Sequence, residues 1–160
     1  MKFYDRKIID EVAELGLPHP EDVVINHGSA LVIRGIRPER DGGDIDACTC
    51  LENNLYAQHE LGFRAVSMSV GVSFDSVERT VIARRDEADR FDLHRWDFSM
   101  HKYDRTGRGR IYLPELKEQS DQDGETGIWV ARPEMVLLTK LDSGREKDEN
   151  DITLILESFN

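Results

Sequence analysis

The sequence predicts an α/β (α+β) protein with a mixed β-sheet that is flanked by helices. Segments with apolar residues at helical spacing alternate along the chain with short runs of β-branched or alternating residues. The 160 residues are 39% apolar and 33% charged, as is typical of one ordinary folded domain. We therefore expect a single domain over residues 1–160, without repeats or linkers.

The first half of the chain alternates helix and strand. Apolar residues recur at helical spacing from Ile8 to Leu15, which predicts an amphipathic helix that ends at Gly16. The β-branched run Val23–Ile25 predicts a strand followed by a tight turn at Gly28. The remaining predicted elements of this half are a short helix at Ala30–Ile33, a strand at Asp44–Leu51 and a helix at Glu52–Leu61 that ends at Gly62.

The second half begins with predicted strands and ends with two helices. Strands are predicted at Phe63–Val72, Val77–Ala83 and Arg90–Phe98. The polar stretch Thr106–Gly127 is predicted to be a long loop, apart from the short segment Ile111–Leu113. Pro133 opens a helix, and the apolar residues from Ile152 to Leu156 belong to a last one.

The net charge of −11 argues against an extended DNA or RNA groove, which needs a basic face. The only segment with a basic excess is Arg84–Arg110, where we expect any anionic acceptor to approach. No stretch approaches the ~20 apolar residues of a membrane span, and Met1–Asp10 lacks the apolar run of a signal peptide. We therefore expect a soluble, cytoplasmic protein without membrane partners, whose two cysteines are reduced.

The most informative pattern is Gly28-Ser29, then 14 residues, then Asp44-Ile45-Asp46. Gly28 allows the backbone to approach a ligand closely, and the helix start that follows presents free N–H groups to an anion. Asp44 and Asp46 are two residues apart on one strand, so they share a face and can bind Mg²⁺. The pattern predicts a phosphate site opposite a metal site.

This stretch resembles the signature of the nucleotidyltransferase superfamily, which has the DNA polymerase β-like fold. The match runs from Gly28 to Asp46 and includes Gly35 and Arg37, as in the minimal and abortive-infection type members. The segment from Arg132 to Leu156 is similar to the family's closing segment, in which a Pro-Glu helix carries a lysine and is followed by Arg-x-Lys-Asp and Asp-Ile.

The family's third carboxylate lies on a later strand beside the first two. Asp92, within Phe91-Asp92-Leu93-His94, is the best match to that pattern, and Asp97 is the second candidate. A site without a third carboxylate stays open as well.

The resemblance implies that the protein transfers a nucleoside monophosphate from an NTP to an acceptor hydroxyl. Mg²⁺ or Mn²⁺ would be the cofactor, held by the catalytic residues Asp44, Asp46 and Asp92. Nucleotide binding would use the residues that match the family's phosphate-binding positions, namely Gly28, Ser29, Arg37 and Lys140. Relatives modify tRNA ends, proteins or small molecules, and the acceptor is not identified by any motif here.

Structural interpretations stand beside these functional ones. Lys140 could pair with Asp148 or Asp151, and Arg145 and Lys147 could join the same two aspartates in a salt-bridged helix junction. The protein could also be a catalytically silent nucleotidyltransferase-like module that binds nucleotide or a protein partner. None of His27, His59, His94 and His101 shows metal-ligand spacing, so we expect no histidine ligands among them.

Overall fold

A computed structural model describes residues 3–39, 45–72, 77–86, 95–99, 103–106 and 109–160. For those of them that lie between 66 and 112, and for 142–143, it describes the backbone alone. Helices and strands alternate in the first half of the chain, as the sequence predicts, and several strands and then two last helices follow. The described helices are α1 (Lys7–Glu14), α2 (His27–Ile33), α3 (Leu51–Glu60), α4 (Leu113–Glu118), α5 (Pro133–Ser143) and α6 (Glu149–Ser158), and short 3₁₀ turns lie at Pro20–Asp22 and Glu146–Asp148.

Within the described residues, seven strands form one mixed sheet in the order β3-β4-β5-β2-β1-β9-β8, and β6 and β7 form a separate two-stranded sheet. β1 runs antiparallel to β2 and parallel to β9, and β2 runs parallel to β5. This arrangement confirms the predicted mixed sheet with flanking helices. The strands are β1 (Val23–Ile25), β2 (Ile45–Thr49), β3 (Arg64–Val72), β4 (Val77–Asp86), β5 (Arg95–Ser99), β6 (Tyr103–Thr106), β7 (Gly109–Tyr112), β8 (Ser120–Gln122) and β9 (Trp129–Ala131).

The centre of the sheet is built from β1 and β2. All three residues of β1 are fully buried, as expected for a strand that is covered on both faces. In β2, Ile45 and Ala47 are buried on one face, whereas Asp46 is half-buried on the other. Since a shift of one residue would exchange these faces, burial of Ile45 and Ala47 fixes the register of β2.

The predicted loop from Thr106 to Gly127 is wrong over most of its length. Its polar composition hides a short helix, α4, whose Leu113 and Leu116 are buried three residues apart on one face. It also hides β8, which is at the edge of the sheet and needs few apolar residues. Ser120 is buried there because its hydroxyl donates to the backbone oxygen of Leu116 at 2.6 Å.

Arg34, directly after α2, ties that helix to the sheet. Its Nε donates to the backbone oxygen of Ala131 at 2.9 Å, and its Nη2 donates to the oxygen of Val130 and to Asp121. The guanidinium carbon also lies 5.5 Å from the ring centroid of Phe3, within cation–π distance. The C-terminal end of α2 is therefore fixed against β8 and β9.

The hairpin between β8 and β9 is held to the start of α1 by a salt bridge. Both Nη atoms of Arg6 donate to the carboxylate of Asp123, at 2.8 and 2.9 Å, in a bidentate pair. The hydroxyl and backbone N–H of Thr126 donate to the same carboxylate. The hydrogen bond from Arg6 is the main reason that the pKa of Asp123 lies well below its usual range.

Across the described ranges, none of the helices has the length and apolar character needed to cross a membrane. The division of the chain into domains stays a prediction.

We expect Asp123→Asn to lower the free energy of unfolding by about 2 kcal/mol at pH 7, because hydrogen bonds between charged groups are the stronger ones. A carboxylate with a lowered pKa stabilises the fold above the pKa of the unfolded state, about 3.9, and loses that effect as the pH falls through the folded value. The difference between variant and wild type in urea unfolding should therefore shrink below about pH 4.

Glu125→Gln is the matched control. Glu125 also faces Arg6, at 3.2 Å, but its side chain is 80% exposed. We expect a loss of less than about 0.5 kcal/mol, since exposed ion pairs contribute little. Equal losses in the two variants would contradict the importance of the buried pair.

Candidate nucleotide and metal site

The turn after β1 brings the Gly-Ser pair into the first turn of α2. The structure begins this helix at His27, three residues earlier than the sequence predicts, so Gly28 and Ser29 lie in it and are buried. His27 has φ 55°, in the left-handed region that non-glycine residues seldom adopt. The chain therefore changes direction sharply at the position where the sequence predicts a phosphate site.

A side chain at Gly28 would displace the guanidinium of Arg37. A Cβ atom placed there would lie 2.6 Å from Nη1 and 2.7 Å from Nη2 of Arg37. Glycine at this position thus lets the guanidinium of Arg37 pack directly against the turn. The sequence predicted Gly28 for backbone approach to a ligand, and the structure shows that a neighbouring arginine uses the same space.

Ser29 connects the turn to the strand that carries the aspartates. Its Oγ accepts a hydrogen bond from the backbone N–H of Asp46 at 3.2 Å. The side chain of Asp46 lies in β2 and is half-buried. Gly28, Ser29 and Asp46 therefore come together, whereas Asp44 and Asp92 lie outside the described residues.

Asp97 occupies the register position directly beside Asp46. The parallel pairing of β2 with β5 makes the two residues Cα partners. The preceding pair along the strands is Ile45 with Trp96, and the following pair is Ala47 with Phe98. Neighbouring strands are about 4.8 Å apart, and partners in register share a face of the sheet. Two aspartate positions thus lie side by side on one face of the sheet.

Arg37 and Lys140, the two predicted phosphate ligands, belong to a buried ion cluster. Nη1 of Arg37 donates to Oδ2 of Asp151 at 2.7 Å, and Nζ of Lys140 lies 3.0 Å from the same oxygen. Lys140 also donates to Asp148 at 3.0 Å, and Nε of Arg145 donates to the other oxygen of Asp148. The structural alternative for Lys140 and the predicted helix junction are both present, with Arg145 as a member.

The cluster joins the turn before β2 to the last two helices and carries three cations against two anions. The side chains of Lys140, Asp148 and Asp151 are each less than one-tenth exposed. Burial acts to raise the pKa of Asp151, but the hydrogen bond from Lys140 and the charge of Arg37 outweigh it and hold that pKa below its ordinary value. The carboxylate therefore stays ionised and fixes Arg37 against Gly28.

A second cluster, absent from the sequence predictions, lies at the other end of β1. Ligand atoms of His19, Glu21 and Asp22 lie within 4.8 Å of one another. His19 Nε2 hydrogen-bonds to Glu52 and Nδ1 to Glu21, while Lys117 donates to Asp22. The His-x-Glu-Asp spacing was visible in the sequence, but the contributions of Glu52 and Lys117 depend on the fold.

The comparisons with known proteins bear on the fold. No protein-family model matches the chain, and no curated protein matches it. The crystal structure of JHP933 from Helicobacter pylori has a similar fold, with a TM-score of 0.51 and 14% sequence identity. This is a likeness of fold alone. The match covers 95% of this chain and 64% of JHP933, so this chain spans less than two thirds of that protein.

We expect Asp151→Asn to lower the free energy of unfolding by about 3 kcal/mol, because it leaves buried Arg37 and Lys140 without their shared carboxylate. Urea unfolding at pH 7 measures this loss. Glu149→Gln, on the same helix but exposed, is the control and should stay within about 0.5 kcal/mol of wild type. A similar small change for both variants would mean that the cluster does not hold α6 in place.

We expect the pKa of His19 to lie above its ordinary value of about 6.5, mainly because of the hydrogen bond to Glu52. Titration of the imidazole resonances by NMR measures it directly. Glu52→Gln should lower that pKa, whereas Glu60→Gln, at the far end of α3, should leave it unchanged. An unaltered His19 titration in Glu52→Gln would show that the pair does not form in solution.

Proposed function

We propose that this protein is a metal-dependent nucleotidyltransferase that transfers an NMP from an NTP to an acceptor hydroxyl. The observation that carries the proposal is the assembly of Ser29, Asp46 and Asp97 across neighbouring elements. These elements are the Gly-Ser turn, the Asp-x-Asp strand and an acid on the adjacent strand. The sequence resemblance requires the same three parts.

The donor set suits a hard divalent cation. Carboxylate oxygens are the ligands that Mg²⁺ and Mn²⁺ prefer, and Asp46 is half-buried on a face where a second aspartate position lies one strand away. We propose that Asp44, Asp46 and Asp97 hold the metal. When bound, the metal would neutralise phosphate charge and lower the pKa of the attacking hydroxyl.

Asp97 takes the role of third carboxylate in this proposal. Its register beside Asp46 supports it, while Asp92 lies outside the described residues and stays the alternative from the sequence. Neighbouring parallel strands put in-register residues on one face of the sheet, so the backbone pairing alone gives this placement.

The remaining residues bind and orient the nucleotide. The first turn of α2 and the hydroxyl of Ser29 would hold phosphate oxygens. Arg37 lies directly against Gly28 and is proposed to contact the same phosphates. Lys140 already faces two carboxylates at 3.0 Å, so in this proposal it acts by positioning Asp151 and through it Arg37.

Transfer of label from a radioactive NTP in the presence of Mg²⁺ or Mn²⁺ tests the function. We expect Asp46→Asn and Asp97→Asn each to lower the transfer rate about 100-fold or more, because each removes a charge that would stabilise the transition state. Asp92→Asn should retain most of the rate. The control is Glu60→Gln, which removes an exposed carboxylate of α3.

Two results would overturn parts of this proposal. Transfer that is lost in Asp92→Asn but kept in Asp97→Asn would reassign the third carboxylate. Metal-dependent NTP binding by calorimetry without transfer to any acceptor would support the silent, nucleotide-binding alternative. If NTP does not bind with Mg²⁺ present, both functions are excluded.

A further inference from the structure

A line of charged residues crosses the sheet beyond the two aspartates. In the β5–β4 pairing Asp97 stands opposite Arg84, and in the β4–β3 pairing Arg84 stands opposite Arg64. On the other side, Asp97 pairs with Asp46, whose backbone N–H donates to the hydroxyl of Ser29. These residues therefore follow one another across five neighbouring elements. We call this line the charged row: Ser29, Asp46, Asp97, Arg84, Arg64.

The charged row has two different ends. The hydroxyl of Ser29 and the turn at Gly28 lie at one end, where the proposed function puts the triphosphate. At a strand spacing of about 4.8 Å, the Arg84 and Arg64 positions lie roughly 10 and 14 Å from Asp46 at the other end. The group that attacks the α-phosphorus must come from the side opposite the leaving pyrophosphate, which is the arginine side.

The arginine pair needs an explanation of its own. The register puts the position of Arg84 between the positions of Asp97 and Arg64. Arg64 stands opposite Arg84 itself, and like charges directly opposite on neighbouring strands are destabilising. The side chain of Arg64 is exposed. An anion bound beside the two arginines would remove the repulsion, and guanidinium groups match phosphate oxygens in geometry.

We propose that the acceptor carries a phosphate group, which Arg84 and Arg64 bind while its hydroxyl lies over Asp46 and Asp97. This inference rests on the proposed function and adds the chemical class of the acceptor. The acceptor oxygen forms a bond to the α-phosphorus of the NTP, the bond from that phosphorus to the β-phosphate oxygen breaks, and pyrophosphate leaves with the electron pair. The hydroxyl proton passes to water.

Such a phosphate can belong to a phosphorylated small molecule or to the end of a nucleotide chain. Ribose 5-phosphate, compared with ribose, probes the first source. An oligoribonucleotide, compared with its uncharged methylphosphonate analogue, probes the second. Ribose keeps the 2- and 3-hydroxyl groups but lacks the phosphate, and the methylphosphonate keeps the sugar hydroxyl groups but lacks the charge.

The experiment measures binding of these probes by calorimetry, with and without a saturating non-hydrolysable NTP analogue and Mg²⁺, and then transfer by label. We expect at least one charged probe to bind about 10-fold or more tightly than its uncharged partner. Arg84→Gln and Arg64→Gln should each remove most of that preference, since a hydrogen bond to a charged group corresponds to roughly 10- to 100-fold in affinity. Affinity for the NTP analogue should not change.

Arg85→Gln is the matched control, because Arg85 follows Arg84 on β4 and therefore lies on the opposite face. Arg84→Lys keeps the charge and should restore part of the preference, which a purely structural loss would not allow. Thermal unfolding of each variant verifies that it folds.

Equal affinity for the charged and uncharged members of both pairs would overturn the inference, as would a preference that survives in both glutamine variants. Neither result depends on turnover. Failure of the proposed function has different signatures: the NTP analogue does not bind, or it binds and no acceptor is labelled. Because the probes are also measured without the analogue, the two failures are distinguishable.

Discussion

The parallel pairing of β2 with β5 is the constraint on which the rest of the candidate site depends. These strands are separated by 45 residues of chain, and their register brings Asp97 beside Asp46, while the β5–β4 pairing brings Arg84 to the other side of Asp97. A slip of one residue would move Asp97 to the opposite face. Burial of Ile45 and Ala47 prevents that slip on the β2 side, so hydrophobic packing determines where the charged groups stand.

The charged residues of this protein form pairs and clusters that its net charge does not reveal. The net charge of −11 belongs to the whole chain and does not give the charge at any one site, because the cations are gathered at particular places. Asp151 holds Arg37 and Lys140, and Asp123 holds Arg6. A small anionic ligand is therefore compatible with an acidic chain, because the local field at a site depends on the nearest groups.

Much of the fold could be predicted from the sequence, because apolar periodicity marks most of the elements. α4 and β8 could not, since a six-residue helix and an edge strand leave too few apolar residues to distinguish them from a loop. For the site, the turn at Gly28 and the strand of Asp46 follow from local pattern. Asp97 is the second candidate from the sequence, but its register beside Asp46 depends on contacts between distant segments, as do the positions of Arg64 and Glu52. Local periodicity carries no information about such contacts.

α2 is anchored at both ends, which lowers the entropy cost of binding a ligand at its N-terminal end. Arg34 fixes the C-terminal end to β8 and β9, while Gly28 and Arg37 fix the N-terminal end to the cluster on α5 and α6. A helix held in this way has little conformational freedom left to lose when a nucleotide binds. The conformational entropy of α2 is therefore lost during folding. Selection among nucleotides at its N-terminal end would depend on a shape and a charge that exist before the ligand binds.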